Sequence, residues 1–143
     1  MFDNYVRRMT VERIVDGDTI TAIVDLAFGT QQHQWLRLAR VNTPEIKGPE
    51  QVAGAYVTNR VHAFFRDRQD KPLFLQSHDW QKDSFGRVIA TIWCGETNLN
   101  DWLLHHRLAF EADANGRLFD DTRDLRKLDL PDGVVQSWVQ ELS

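Results

Sequence analysis

Residues Thr10–Val24 hold two β-branched runs divided by Asp16-Gly17-Asp18. Valine, isoleucine and threonine fit a pleated surface, and a short Asp-Gly turn between two such runs is a hairpin signal, with Gly17 expected to supply a positive φ. A third run, Gln34-Trp35-Leu36-Arg37-Leu38-Ala39-Arg40-Val41, alternates bulky and polar residues and stops at Asn42-Thr43-Pro44. Pro44 cannot donate to a ladder, so the strand ends there. Three strands in a meander follow.

Gly48-Pro49-Glu50 reads as a helix start, with proline in the first turn and an acid near the positive end of the helix dipole. Ala53, Tyr56, Val57, Val61, Phe64 and Phe65 then keep one helical face to about Arg66. Two further runs, Leu73–Ser77 and Arg87–Trp93, flank the polar turn Asp83-Ser84-Phe85-Gly86 and predict a second hairpin. Asn98 and Asn100 are each able to cap a helix whose body is Trp102–Leu108. Beyond Phe110, Asn115-Gly116 and Pro131-Asp132-Gly133 are turn signals. This order predicts a β-rich α+β fold: a five-stranded barrel of the oligonucleotide/oligosaccharide-binding (OB) kind, with about three helices. Five short strands closing on themselves leave no exposed edge.

At 143 residues the chain is one domain's worth, and 42% hydrophobic with 27% charged residues is an ordinary globular mixture, which argues against disorder. The expected division is a barrel domain over 1–110 and an acidic helical extension over 111–143 packed on it. The net charge of −4 sits wholly in that extension, because bases and acids balance over residues 1–109. Asp120, Asp121 and Asp124, beside Arg123, Arg126 and Lys127, read as a solvated helix surface. One cysteine, Cys94, excludes an internal disulfide and a cysteine-rich zinc cluster, and fits a reducing compartment. No run approaches the ~18 apolar residues that cross a bilayer, and Met1-Phe2-Asp3-Asn4-Tyr5 does not resemble an export signal. The expectation is a cytoplasmic monomer without a membrane partner, or a secreted protein whose signal has been removed.

Three polar clusters fall at strand ends, where a rigid scaffold carries sites: Asp16-Gly17-Asp18-Thr19, Arg37 through Glu45, and Asp83 through Arg87. Each alone is ordinary turn chemistry. Together they offer a different set. Asp18, Asn42 and the Thr43 carbonyl are hard oxygen donors of the kind calcium takes. Arg37 and Arg87 are forks that match phosphate oxygens two at a time, and Glu45 is a carboxylate base. A base, a divalent cation and two guanidiniums are what phosphodiester hydrolysis demands, since negative charge builds on the equatorial oxygens as water attacks. His105 and His106 are neighbours on one helix, point about 100° apart, and read as an exposed face. His33, His62 and His78 are scattered and carry no assignment.

Val15-Asp16-Gly17-Asp18-Thr19, Arg37-Leu38 with Val41-Asn42-Thr43-Pro44-Glu45, and Asp83 with Phe85-Gly86-Arg87 resemble, in order, the motifs of the staphylococcal nuclease (thermonuclease-like) family. The likeness covers roughly residues 8–110. It implies that Asp18 binds calcium, with Asn42 and Thr43 completing the metal site and Asp16 aiming the ligands. Glu45 would act as general base or position the water, and Arg37 and Arg87 would grip the scissile phosphate. Apart from the resemblance, a net charge of −4 gives no general attraction to a polyanion, so substrate contact falls to Lys47, Lys82 and Arg40 beside Arg37, Arg87 and the metal, and to Phe85. The activity implied is cleavage of DNA and/or RNA that leaves a 3′-phosphate and a 5′-hydroxyl.

Several positions depart from the family pattern. Asn42 stands where the family has a second calcium carboxylate, which removes a charge and lowers the expected metal affinity. The loop from Glu45 to Gly48 is short. Asp113 and Asn115 occupy the places of substrate-contacting tyrosines, so base stacking falls to Trp80, Phe85 or Tyr56. A second reading is a weakly active or inactive nuclease-fold module that binds nucleic acid or a protein, although such copies lose the arginines or the glutamate and all three are present here. A third is an unrelated small-barrel binding domain.

Overall fold

The computed structural model describes residues 5–82, 85–113 and 118, with the backbone alone for 78–82. In chain order the elements are β1 (Val6–Asp16), β2 (Thr19–Asp25), β3 (Gln31–Leu38), β4 (Val41–Asn42), a 3-10 turn at Gly48–Glu50, α1 (Gln51–Arg66), β5 (Leu73–Lys82), β6 (Val88–Cys94), β7 (Thr97–Asn98), α2 (Leu99–His105) and β8 (Phe110–Glu111).

The expected meander forms, with β1 antiparallel to β2 and β2 to β3, and the expected second hairpin joins β5 to β6. β1 also pairs with β5. Parallel pairing of β3 with β6, Leu36 opposite Val88 and Leu38 opposite Ala90, closes the five long strands into a barrel. Alternation along the strands sends Ile20, Ala22, Leu36, Leu38, Leu75 and Ile92 inward, where they meet Val57, Val61 and Phe64 of α1 and Leu99 and Leu103 of α2. Each of the larger side chains stabilises the fold by about 1.5–3 kcal/mol on burial. Pairing continues past Phe110: β8 lies antiparallel to β4, and the Arg40 amide and carbonyl bond Asp113 and Ala112.

Two local expectations are corrected. Gly17 is absent from the glycines with positive φ. The β1–β2 turn is closed instead by the Asp16 side chain, which accepts a bond from the Asp18 amide at 3.2 Å. What Gly17 provides is room, since a Cβ there would lie 2.6 Å from Val57 Cγ1 and 2.8 Å from Thr43 Oγ1.

Asn98 caps α2 as expected, accepting from the Asp101 amide. Asn100 does not cap. It is 0% exposed, and its Nδ2 donates to the Ala39 and Ala90 carbonyls at 2.9 and 3.1 Å while Oδ1 accepts from the Ile92 amide at 3.1 Å. One carboxamide therefore ties α2 to the strand ends at the barrel's closing seam. A third helix was expected in the extension, and residues 119–143 lie outside the described part. Cys94 is buried and free. Among the described residues no helix is long and apolar enough to cross a membrane.

Candidate active site

The two hairpins and the segment after β3 deliver their polar ends to one place. A cleft of about 230 Å³ is lined by Asp16, Asp18, Thr19, Arg37, Asn42, Thr43, Glu45 and Arg87. Asp16, Asp18 and Thr19 come from the first hairpin, and Arg37 from the C-terminal end of strand β3. Asn42 lies in β4, Thr43 and Glu45 follow it, and Arg87 immediately precedes β6. The β2–β3 register sets Thr19 opposite Arg37, and the parallel β3–β6 pairing brings the start of β6 alongside.

Asp18 is the hub. Its Oδ2 accepts from the Thr43 amide at 2.9 Å and lies 3.3 Å from Arg37 Nη2, while Oδ1 accepts from the Thr19 hydroxyl at 3.1 Å. Arg37 is buried, and its Nη1 donates to the Leu38 carbonyl at 2.9 Å, which aims the guanidinium. Arg87 Nη1 reaches the same Thr19 hydroxyl at 3.4 Å. Thr19, part of the first polar cluster but given no role from sequence, is thus the bridge between Asp18 and Arg87.

Burial, and after it the charge of Asp18, push the Asp16 carboxyl up to about 8. Two aspartates held this close in a cleft with Asn42 and Glu45 form a set of hard oxygen donors, the chemistry a calcium-type cation fits. Thr43 Oγ1 is buried without a hydrogen-bond partner, an uncommon state for a hydroxyl and one more oxygen beside the aspartates. No three His, Cys, Asp or Glu side chains cluster as a metal-holding group among the described residues, so such a cation would need amide, hydroxyl and carbonyl oxygens as well.

Seven residues named from sequence, Asp16, Asp18, Arg37, Asn42, Thr43, Glu45 and Arg87, therefore share one cleft. Others do not line it. Phe85 lies in an adjoining hollow with Trp35. Lys47 is exposed at the start of the 3-10 turn, Arg40 pairs with Asp101 at 3.1 Å, and Tyr56 packs against the core. The side chains of Lys82 and Trp80, like residue Asn115, lie outside the described part. His105 and His106 are both exposed, their rings 5.2 Å apart and perpendicular.

Gly54 carries a role that only packing reveals. It sits within α1, where a Cβ would strike the Glu45 carbonyl and the Ile46 amide. Helix and Glu45 loop touch backbone to backbone there, which sets how deep Glu45 sits beside the cleft. A glycine inside a helical pattern, about 1 kcal/mol worse than alanine, was the available signal.

Residues 35–129 match the family described as Staphylococcal nuclease homologue. The Thermonuclease of Staphylococcus hyicus is 32% identical over 99 residues, which are 69% of this chain and 56% of the relative. The Thermonuclease of Staphylococcus intermedius is 29% identical over 99 residues with the same coverage. The match thus spans just over half the length of these curated relatives. With the match running from β3 through both helices and well beyond half of the sequence, the chain belongs to the staphylococcal nuclease family.

Proposed function

We propose that the protein is a calcium-dependent nuclease that hydrolyses phosphodiester bonds of DNA and/or RNA at the 5′ P–O bond, leaving 3′-phosphates. The observation that carries this reading is the convergence of Asp16, Asp18, Arg37, Glu45 and Arg87, drawn from separate stretches of chain, on one cleft. Glu45 takes the proton of the attacking water, its exposed position leaving room for that water. Arg37 and Arg87 donate N–H groups to the phosphate oxygens, whose charge grows in the transition state. Two of the five N–H donors of Arg37 are committed to Leu38 and Asp18, so the guanidinium is fixed in place and still has donors for substrate. Asp18, Asn42 and Thr43 would hold the cation, and Asp16 would orient Asp18 through its bond to the Asp18 amide. A calcium ion held there would supply positive charge that favours the developing anion.

The alternative is a weakly active or inactive module that binds nucleic acid or a protein partner. Two features favour it: Asn42 lacks a full charge, and the Arg37 guanidinium already neutralises Asp18. Incubating a labelled oligonucleotide with the full chain separates the readings. Millimolar calcium is expected to yield 3′-phosphate fragments and excess chelator to stop cleavage. Intact substrate in calcium would overturn the enzyme reading.

A further inference from the structure

Beside the cleft lies a second hollow of about 500 Å³, lined by Trp35, Glu45, Phe85, Gly86 and Arg87. The two share Glu45 and Arg87, so anything bound at the phosphate position extends naturally into this hollow. Its volume falls in the range of roughly 300–1,000 Å³ typical of small-ligand sites.

Its walls are unusual for a barrel surface. Trp35 is 46% exposed and Phe85 81% exposed, two of the three large hydrophobic side chains that stand out from the described surface. Strand alternation explains Trp35: its neighbour Leu36 points into the core, so Trp35 points out. Arg13, Thr21 and Trp35 are successive partners across β1, β2 and β3. That row brings the Arg13 guanidinium to 5.5 Å from the indole centroid. Phe85 is matched by Arg87, whose Cζ lies 5.2 Å from the phenyl centroid. Two aromatic rings, each with its own guanidinium, therefore border a hollow that opens onto Glu45 and Arg87. Exposed aromatic faces beside positive charge are how proteins hold the bases and backbone of an unpaired nucleic acid strand.

We propose that Trp35, with Phe85 on the border of the same hollow, is the stacking wall that receives the nucleobase next to the scissile phosphate. The proposal rests on the nuclease reading of the adjoining cleft. Trp35 is a substrate-binding residue in it, and Arg13 a positioning residue that holds the indole. The base must leave its helical stack to enter, since a base inside a duplex has both faces covered by its stacked neighbours.

The test compares an oligothymidylate with an abasic strand of the same length and phosphate number, by fluorescence anisotropy in excess chelator with the full chain. Base–aromatic stacking predicts that the wild type binds the thymidylate roughly 5- to 150-fold more tightly than the abasic strand. Trp35→Leu should bring that ratio close to one, and Trp35→Phe, which keeps a ring, should retain most of it. A Trp35→Leu ratio equal to that of the wild type, or a wild type indifferent to bases, would overturn the proposal. Failure of the nuclease reading looks different: the wild type would leave the thymidylate uncut in calcium while still losing its base preference through Trp35→Leu.

Discussion

The Arg37 guanidinium approaches Asp18 Oδ2 to 3.3 Å, with the two side chains only 6% and 8% exposed. Each therefore depends on the other for compensation in a place water barely reaches. Removing one partner of a buried pair is far more damaging than removing both. Asp18→Ala is expected to lower stability by about 3–5 kcal/mol in excess chelator, and the double variant Asp18→Leu with Arg37→Met to recover most of it. Urea unfolding of the two variants measures the difference, and a wild-type midpoint for Asp18→Ala would remove the coupling.

Asn42→Asp adds a full charge to the proposed cation site. Calcium should bind about tenfold more tightly, read by titration calorimetry. The same change places another carboxylate near Asp16 and Asp18, where burial first and the charge of Asp18 second already push the Asp16 carboxyl up to about 8. The metal-free variant should accordingly melt below the wild type, and calcium should raise its melting temperature by more. An unchanged titration would take Asn42 out of the site.

Arg87→Ala tests the phosphate grip. The half-buried side chain reaches the buried Thr19 hydroxyl only at 3.4 Å and stands against the exposed Phe85, so stability should fall by about 1 kcal/mol. Turnover in calcium, by contrast, should fall by about 10²–10³-fold. Turnover equal to wild type would return Arg87 to a turn role.

Gly54→Ala should destabilise despite alanine's advantage of about 1 kcal/mol in a helix, because the new methyl meets the Glu45 carbonyl. A net loss of about 2 kcal/mol is expected from overpacking, accompanied by a larger proportional loss of cleavage as Glu45 is displaced. Thermal melts and turnover measured side by side check both halves. A more stable, fully active variant would refute the close contact.

Asn100→Ala strands the Ile92 amide and the Ala39 carbonyl in the core and opens a small void. The expected cost is about 2–4 kcal/mol by urea unfolding. Asn100→Asp should fare no better, since a carboxylate cannot donate to the Ala39 and Ala90 carbonyls. If Asn100→Asp matched the wild type, the seam would not depend on those donations.

Much of this protein is legible from residues close together in sequence. The meander, the second hairpin and α1 follow from alternation, turn residues and helical spacing, because those are local preferences of the backbone. Asp16, Asp18, Arg37, Glu45 and Arg87 were nameable for a related reason: polar clusters at strand ends recur where a barrel presents its loops. Other features exist only once distant segments meet. Gly17 and Gly54 matter for what a Cβ would strike, namely Thr43, Val57 and Glu45. Asn100 has the local signature of a cap and becomes a core bridge because closure of β3 on β6 leaves the Ala39, Ala90 and Ile92 backbone groups for its carboxamide. Trp35 joins Phe85 across some fifty residues of chain because the parallel β3–β6 pairing sets Leu36 beside Val88. Local pattern determined which elements form; packing between them decided which polar atoms share a cleft, since burial and hydrogen bonding act through space and take no account of order along the chain.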